Sequence, residues 1–173
     1  VNLSFGKKSY EALDEAIKQS IVKEFEALKM LKEELTELVD EDTNSFNKIL
    51  TAFGLPKGND EEKAIRSAAI QAATQYATEI PLRTMKVAYS AFDLVEAMAK
   101  EGNPNSLSDA GVGALALRSA IYGAYMNVRI NSADLKDKAV SEKLVNEAQQ
   151  IFDLASSREK SIIESVLATL GSK

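Results

Sequence analysis

Asp42 stands in a slot that its neighbours fill with apolar residues. Leu13, Ile17, Ile21, Phe25, Leu28, Leu31, Leu35 and Leu38 lead up to it in steps of three or four, and Phe46, Ile49 and Phe53 continue beyond it, the spacing of one helical face. On a continuous helix this slot turns a carboxylate toward the packed side, where burial disfavours the ionised form and suits the group to general acid/base chemistry. On a helix that restarts at Thr43, the same residue is an N-cap. Spacing leaves both open. Asn127 and Asn131, four apart, share a face and present two amides either to a ligand or to a neighbouring helix. Asp109 follows Ser106 at the interval of a capping box, and Lys7 with Lys8 offers paired charge to an anionic tail or to solvent.

Other chemistry is excluded by composition. The 173 residues contain no His and no Cys, which removes imidazole bases, thiol nucleophiles, Ser-His-Asp triads and Cys/His zinc sites. Catalysis must use carboxylates, amines, hydroxyls, amides or backbone. A net charge of -5, without a basic run interleaved with aromatics, opposes nucleic-acid binding. No apolar run approaches the roughly 18 residues of a spanning helix, and the N-terminus lacks a signal pattern, so neither a membrane nor export is expected and the cytoplasm is the expected compartment. Gly111-Val112-Gly113 lacks both the remainder of a dinucleotide fingerprint and a preceding strand.

The elements that must position these groups are long helices. The first stripe runs from about Tyr10 to Phe53, with a break conceivable at Asp42 to Ser45, and Gly54 to Asn59 supplies cap and turn residues. A second helix starts after Asn59 or Asp60 and runs to about Lys100. Pro81 within it predicts a kink around Glu79 to Leu82 or two abutting helices. A third runs from Ser106 to about Asn131, with small residues at Gly113, Ala116, Ala120, Gly123 and Ala124 that admit a close backbone or a flat ligand. A fourth, from about Leu135 or Ser141 to Leu170, has a looser apolar face. The expected class is all-α, a helical bundle in one domain over residues 1–173. The chain begins at Val1, and Val1 to Phe5 reads as the continuation of something earlier.

Several segments, in order, resemble the cyclodeaminase domain of formiminotransferase-cyclodeaminase and its single-domain relatives, among them methenyltetrahydrofolate cyclohydrolases. They are Leu38-Val39-Asp40-Glu41-Asp42-Thr43-Asn44-Ser45-Phe46, Leu55-Pro56-Lys57 with Glu61-Glu62-Lys63, and Ile80-Pro81-Leu82. Gly102-Asn103 with Ser108-Asp109, and Gly123-Ala124-Tyr125-Met126-Asn127-Val128 with Ile130-Asn131, complete the set. The resemblance implies an all-helical homodimer acting on a folate, polyglutamylated forms included, with a formiminotransferase as a further partner and no metal, nucleotide or prosthetic group. It implies Asp42 as the catalytic aspartate, and Asn103, Asp109, Asn127 and Asn131 as polar positions lining the folate cleft. The implied reaction is cyclodeamination of 5-formimidoyltetrahydrofolate to 5,10-methenyltetrahydrofolate and ammonia. Hydrolysis of the methenyl compound and a non-catalytic folate scaffold are the alternatives. Lys7, Lys8 or the helix start near Ser106 is then expected to receive the tail. The resemblance also implies a glycine-rich turn and a helix ahead of the segment matching Val1 to Tyr10, and the domain over residues 1–173 is expected to lack that N-terminal segment.

Overall fold

A computed structural model describes residues 5–171, with the side chain of Ser9 outside the description. Val1 to Ser4, and with them most of the segment read as a continuation, lie outside the described residues. A short helix α1 (Lys8–Glu11) leads into α2 (Glu15–Phe53), α3 (Asp60–Glu101), α4 (Leu107–Ser132) and α5 (Lys138–Gly171), with one 3-10 turn at Pro104–Ser106. Among the described residues there is no strand.

Local chemistry sets most of the boundaries. Asp14 caps α2 through an Oδ1 that accepts from Ala16 N at 2.8 Å, so the first stripe breaks at Ala12 to Asp14 and runs unbroken through Asp42 to Phe53. Asn59 Oδ1 accepts from Glu62 N at 2.8 Å while Glu62 reaches back to Gly58 N at 2.6 Å, a reciprocal cap that starts α3. Asp137 Oδ1 accepts from Ala139 N and Val140 N and opens α5. The capping box expected at Ser106 does not form. Ser106 occupies the N-cap position without a side-chain cap bond, because the preceding 3-10 turn already takes its N–H to Asn103 O at 2.8 Å.

Pro81 lies inside a single helix, α3, rather than between two abutting ones. A proline has no N–H, so the carbonyl of Ala77, four residues back, loses its helical donor. Asn131 of α4 replaces it, its Nδ2 donating to Ala77 O at 2.9 Å. Around this point Thr74, Thr78 and Thr84 turn their hydroxyls onto the carbonyls of Ile70, Thr74 and Ile80, which leaves no buried hydroxyl of α3 competing for that position.

Two apolar cores meet on α3. The larger joins α3, α4 and α5 through Met85, Ala88 and Phe92, Ala114, Ile121 and Val128, and Leu144, Ala148, Ala155 and Ile162. Gly111 faces α5, where a Cβ would make ordinary contact with Val166 and Ile163 at 3.4 and 3.5 Å. Arg158 of α5 fastens the same seam by pairing with Asp93 at 2.7 Å and Glu96 at 2.9 Å of α3. Hydrogen bonding to Glu96, opposed by burial and aided by Asp93, raises its pKa above the usual guanidinium value. The smaller core seats Leu38, with Leu31 and Leu35, on Ile80, Val87 and Tyr76. α2 therefore packs chiefly on α3, with Ser45 and Ala52 as the small buried residues of the contact.

Candidate functional site

Asp42 sits in mid-helix and caps nothing, and its side chain is exposed rather than turned into the core. The expectation of burial fails because α2 carries two apolar faces that the spacing merges into one. Leu38, Ser45 and Ala52 form the line buried against α3, while Val39, Phe46, Leu50 and Phe53, each more than half exposed, form a second line facing solvent. Asp42 stands on that outer line, at steps of three and four from Val39 and Phe46. It is the one carboxylate there, and its side chain makes no hydrogen bond or ion pair among the described residues. On the other flank of the buried line, Tyr76 donates its hydroxyl to Glu41, and Lys48 lies 3.7 Å above the Tyr76 ring.

The remaining expected site residues divide by position. Gly102 ends α3 where a Cβ would lie 2.4 Å from the Met98 carbonyl, and this tight exit places Asn103 beside the start of α4. There Asn103 and Asp109 line one cavity of about 160 Å³, together with Leu28 of α2, Val95 and Met98 of α3, and Gly113 of α4. Asn103 also borders a second cavity of about 300 Å³ that contains Tyr10, Leu13 and Ile17. Asn127 is exposed on α4, and Asn131 is engaged with Ala77. Lys7 and Lys8 are exposed at the start of α1 and line neither cavity. Gly113 faces Val95 and Ala124 is buried, while Gly123 would meet nothing within 4 Å if it bore a Cβ, so the small-residue edge of α4 is open there. Next to it a second exposed apolar line runs through Val112, Leu115, Tyr122, Met126 and Ile130.

One cluster escapes sequence reading. Lys57, Lys63, Arg66 and Lys136 come from a loop, α3 and the α4–α5 turn to line one cavity; only contact across the fold assembles them. Among the described residues no group of three carboxylates is placed to hold a metal ion, and no helix is long and apolar enough to cross a membrane.

Comparison with known proteins places these features. The family model for formiminotransferase-cyclodeaminase matches residues 1–150, a span that contains Asp42, Asn103, Asp109, Asn127 and Asn131, and the chain belongs to that family. It is 36% identical to a methenyltetrahydrofolate cyclohydrolase of Methylorubrum extorquens over 95% of this chain and 77% of that protein. It is also 36% identical to a formimidoyltransferase-cyclodeaminase of Dictyostelium discoideum, over 94% of this chain but 28% of that longer protein. The fold matches the crystal structure of a formiminotetrahydrofolate cyclodeaminase from Thermotoga maritima with a TM-score of 0.75, at 21% identity, over 99% of this chain and 77% of the other.

Proposed function

We propose that the protein is an enzyme acting on the one-carbon bridge between N5 and N10 of tetrahydrofolate, with Asp42 as its proton-transfer group. The observation that supports this reading is the placement of Asp42 as the lone carboxylate on an outward apolar line of α2, within the segment matched to the family. A large exposed apolar line is unfavourable in water unless something covers it. A second copy of the chain set against the outer lines of α2 and α4 would cover both, and would enclose Asp42 in a cleft of which this chain supplies one wall.

The first reading is cyclodeamination. N10 of the protonated 5-formimidoyl compound attacks the formimidoyl carbon and closes the five-membered ring. Asp42 takes the proton from N10 and delivers it to the exocyclic nitrogen, which leaves as ammonia and yields the methenyl cation. One carboxylate thus serves as base and then acid, while the cleft contributes orientation. A second reading is favoured by one comparison, the length over which the chain matches the cyclohydrolase relative. There water adds to the methenyl carbon and gives a proton to Asp42; the N5–C bond then breaks as Asp42 returns that proton to N5 and the hydroxyl proton is lost to solvent, leaving the formyl group on N10.

The two are separated by offering the protein 5-formimidoyltetrahydrofolate and, separately, methenyltetrahydrofolate, following methenyl absorbance and ammonia. Turnover of either should fall by about 10²–10⁴-fold in Asp42→Asn, with the melting temperature unchanged because the side chain is exposed. Undiminished turnover in that variant would remove Asp42 from the mechanism, and inertness of the unaltered protein toward both compounds would remove the reading.

A further inference from the structure

The cavity of about 370 Å³ at the junction of the α2–α3 loop, the first turns of α3 and the α4–α5 turn is lined by Lys57, Lys63, Arg66, Ser67, Gln71 and Lys136, with Ile70 as its apolar member. No acidic side chain is in that lining, although the chain as a whole carries a net charge of -5. Several cations elsewhere are paired with a carboxylate, as in Lys29–Glu26, Arg83–Glu34 and Lys86–Glu147. Here only Lys63 has a carboxylate, Asp60 at 2.9 Å.

The other cations are held by neutral groups. Arg66 donates from Nε and Nη2 to Phe53 O at 3.3 and 3.2 Å, and Lys136 Nζ donates to Ser67 Oγ at 2.7 Å. Gln71 locks the turn that carries Lys136, accepting from Lys136 N at 2.7 Å and donating to Asp134 O at 3.1 Å. Lys57 has no partner among the described residues. Positive charge positioned by neutral acceptors repels itself until an anion arrives, and its donors remain available for charge-assisted hydrogen bonds.

We propose that this cavity is a binding site for a multiply charged anion bearing carboxylate or phosphate groups. Two sources share that chemistry. The Arg66 guanidinium lies 5.4 Å from the ring of Phe53, the last apolar residue of the line that carries Asp42. Eleven residues of helix separate Asp42 from Phe53, about 16 Å at 1.5 Å per residue, so the acidic tail of a folate held at Asp42 is within reach; this source rests on the function proposed above. A free anion acting as an effector needs no folate at all.

Calorimetric titration at low salt with γ-linked triglutamate and with inorganic pyrophosphate tests the site. Saturable binding of at least one probe is expected, weakened about tenfold or more by Lys57→Ala/Lys136→Ala and by added salt. Lys29→Ala/Lys160→Ala, with the same loss of charge on other surfaces, should bind as the unaltered protein does. If the tail is the occupant, triglutamate is preferred and the first double variant raises KM for a triglutamyl substrate at constant kcat. If a free anion is, pyrophosphate is preferred and that KM does not move. Absence of saturable binding by either probe, or equal binding by the Lys57→Ala/Lys136→Ala protein, overturns the site. Binding is read without turnover, so a protein inert toward folates leaves this test intact.

Discussion

Asn131 shows how one side chain answers a defect in another helix. Its amide supplies the donor that Pro81 withholds from Ala77 O, and a buried carbonyl left without a donor costs about 1–3 kcal/mol. Asn131→Ala should therefore lower the unfolding free energy extrapolated from urea titration by about that amount, and Pro81→Ala in the same background should recover part of it, because alanine restores the N–H. Equal losses in both backgrounds would disconnect the two residues. Glu24 is a second local case. Burial, with a smaller contribution from Glu101 and against the hydrogen bond from Ser20, raises its pKa above the ordinary 4.5, and its Oε2 is buried without a hydrogen-bond partner among the described residues. An acid whose pKa is higher folded than unfolded loses stability as pH rises from the unfolded value through the folded one. Glu24→Gln should match the unaltered protein in thermal melts near pH 4 and exceed it at pH 7, by at most about 1 kcal/mol. A gain that is the same at both pH values would refute the charge as its cause.

At the level of elements, Arg158 ties α5 to α3 with two carboxylates and lies 5.5 Å from both the Tyr89 and Phe92 rings. Lysine cannot reproduce a planar fork that pairs and stacks together. Arg158→Lys and Arg158→Met should each destabilise by about 1–3 kcal/mol in denaturant titrations, and full rescue by lysine would reduce the contact to simple charge. The order and approximate ends of the four long helices were legible in the sequence, because Gly54 to Asn59 and Gly102 to Asn105 carry strong turn chemistry, whereas the break at Ala12 to Asp14 that sets off α1 was not. The orientation of α2 was not. Steps of three and four admit more than one line on a helix with apolar residues around much of its circumference, and the small Ser45 and Ala52, not the large Phe46 and Phe53, mark where α3 approaches. The same ambiguity left a buried Asp42 open as one of two readings, the other being an N-cap, and Asp42 is neither. Its candidacy as the proton-transfer group came from the resemblance and from its break in the apolar pattern; the basic cavity was not legible, since Lys136 lies far along the chain from Lys57, Lys63 and Arg66.

For the whole molecule, the proposed function sets a second copy of the chain on the exposed lines of α2 and α4. Met126 and Ile130 are 54% and 68% exposed, so replacing both with glutamate leaves the chain's own core untouched. Light scattering should show the unaltered protein as a dimer and Met126→Glu/Ile130→Glu as a folded monomer with reduced turnover; a monomer in both would place the outer lines outside any self-association. α2, meanwhile, is fastened along a single seam, its smaller core on α3, whereas α3, α4 and α5 share the larger one. Elements joined to the rest along one edge open as a unit at less than the global unfolding free energy. Amide hydrogens of residues 15–53 thus exchange with solvent by a shorter excursion than those of α3, and anything that settles on the outer line of α2 announces itself as slowed deuterium uptake in that helix alone.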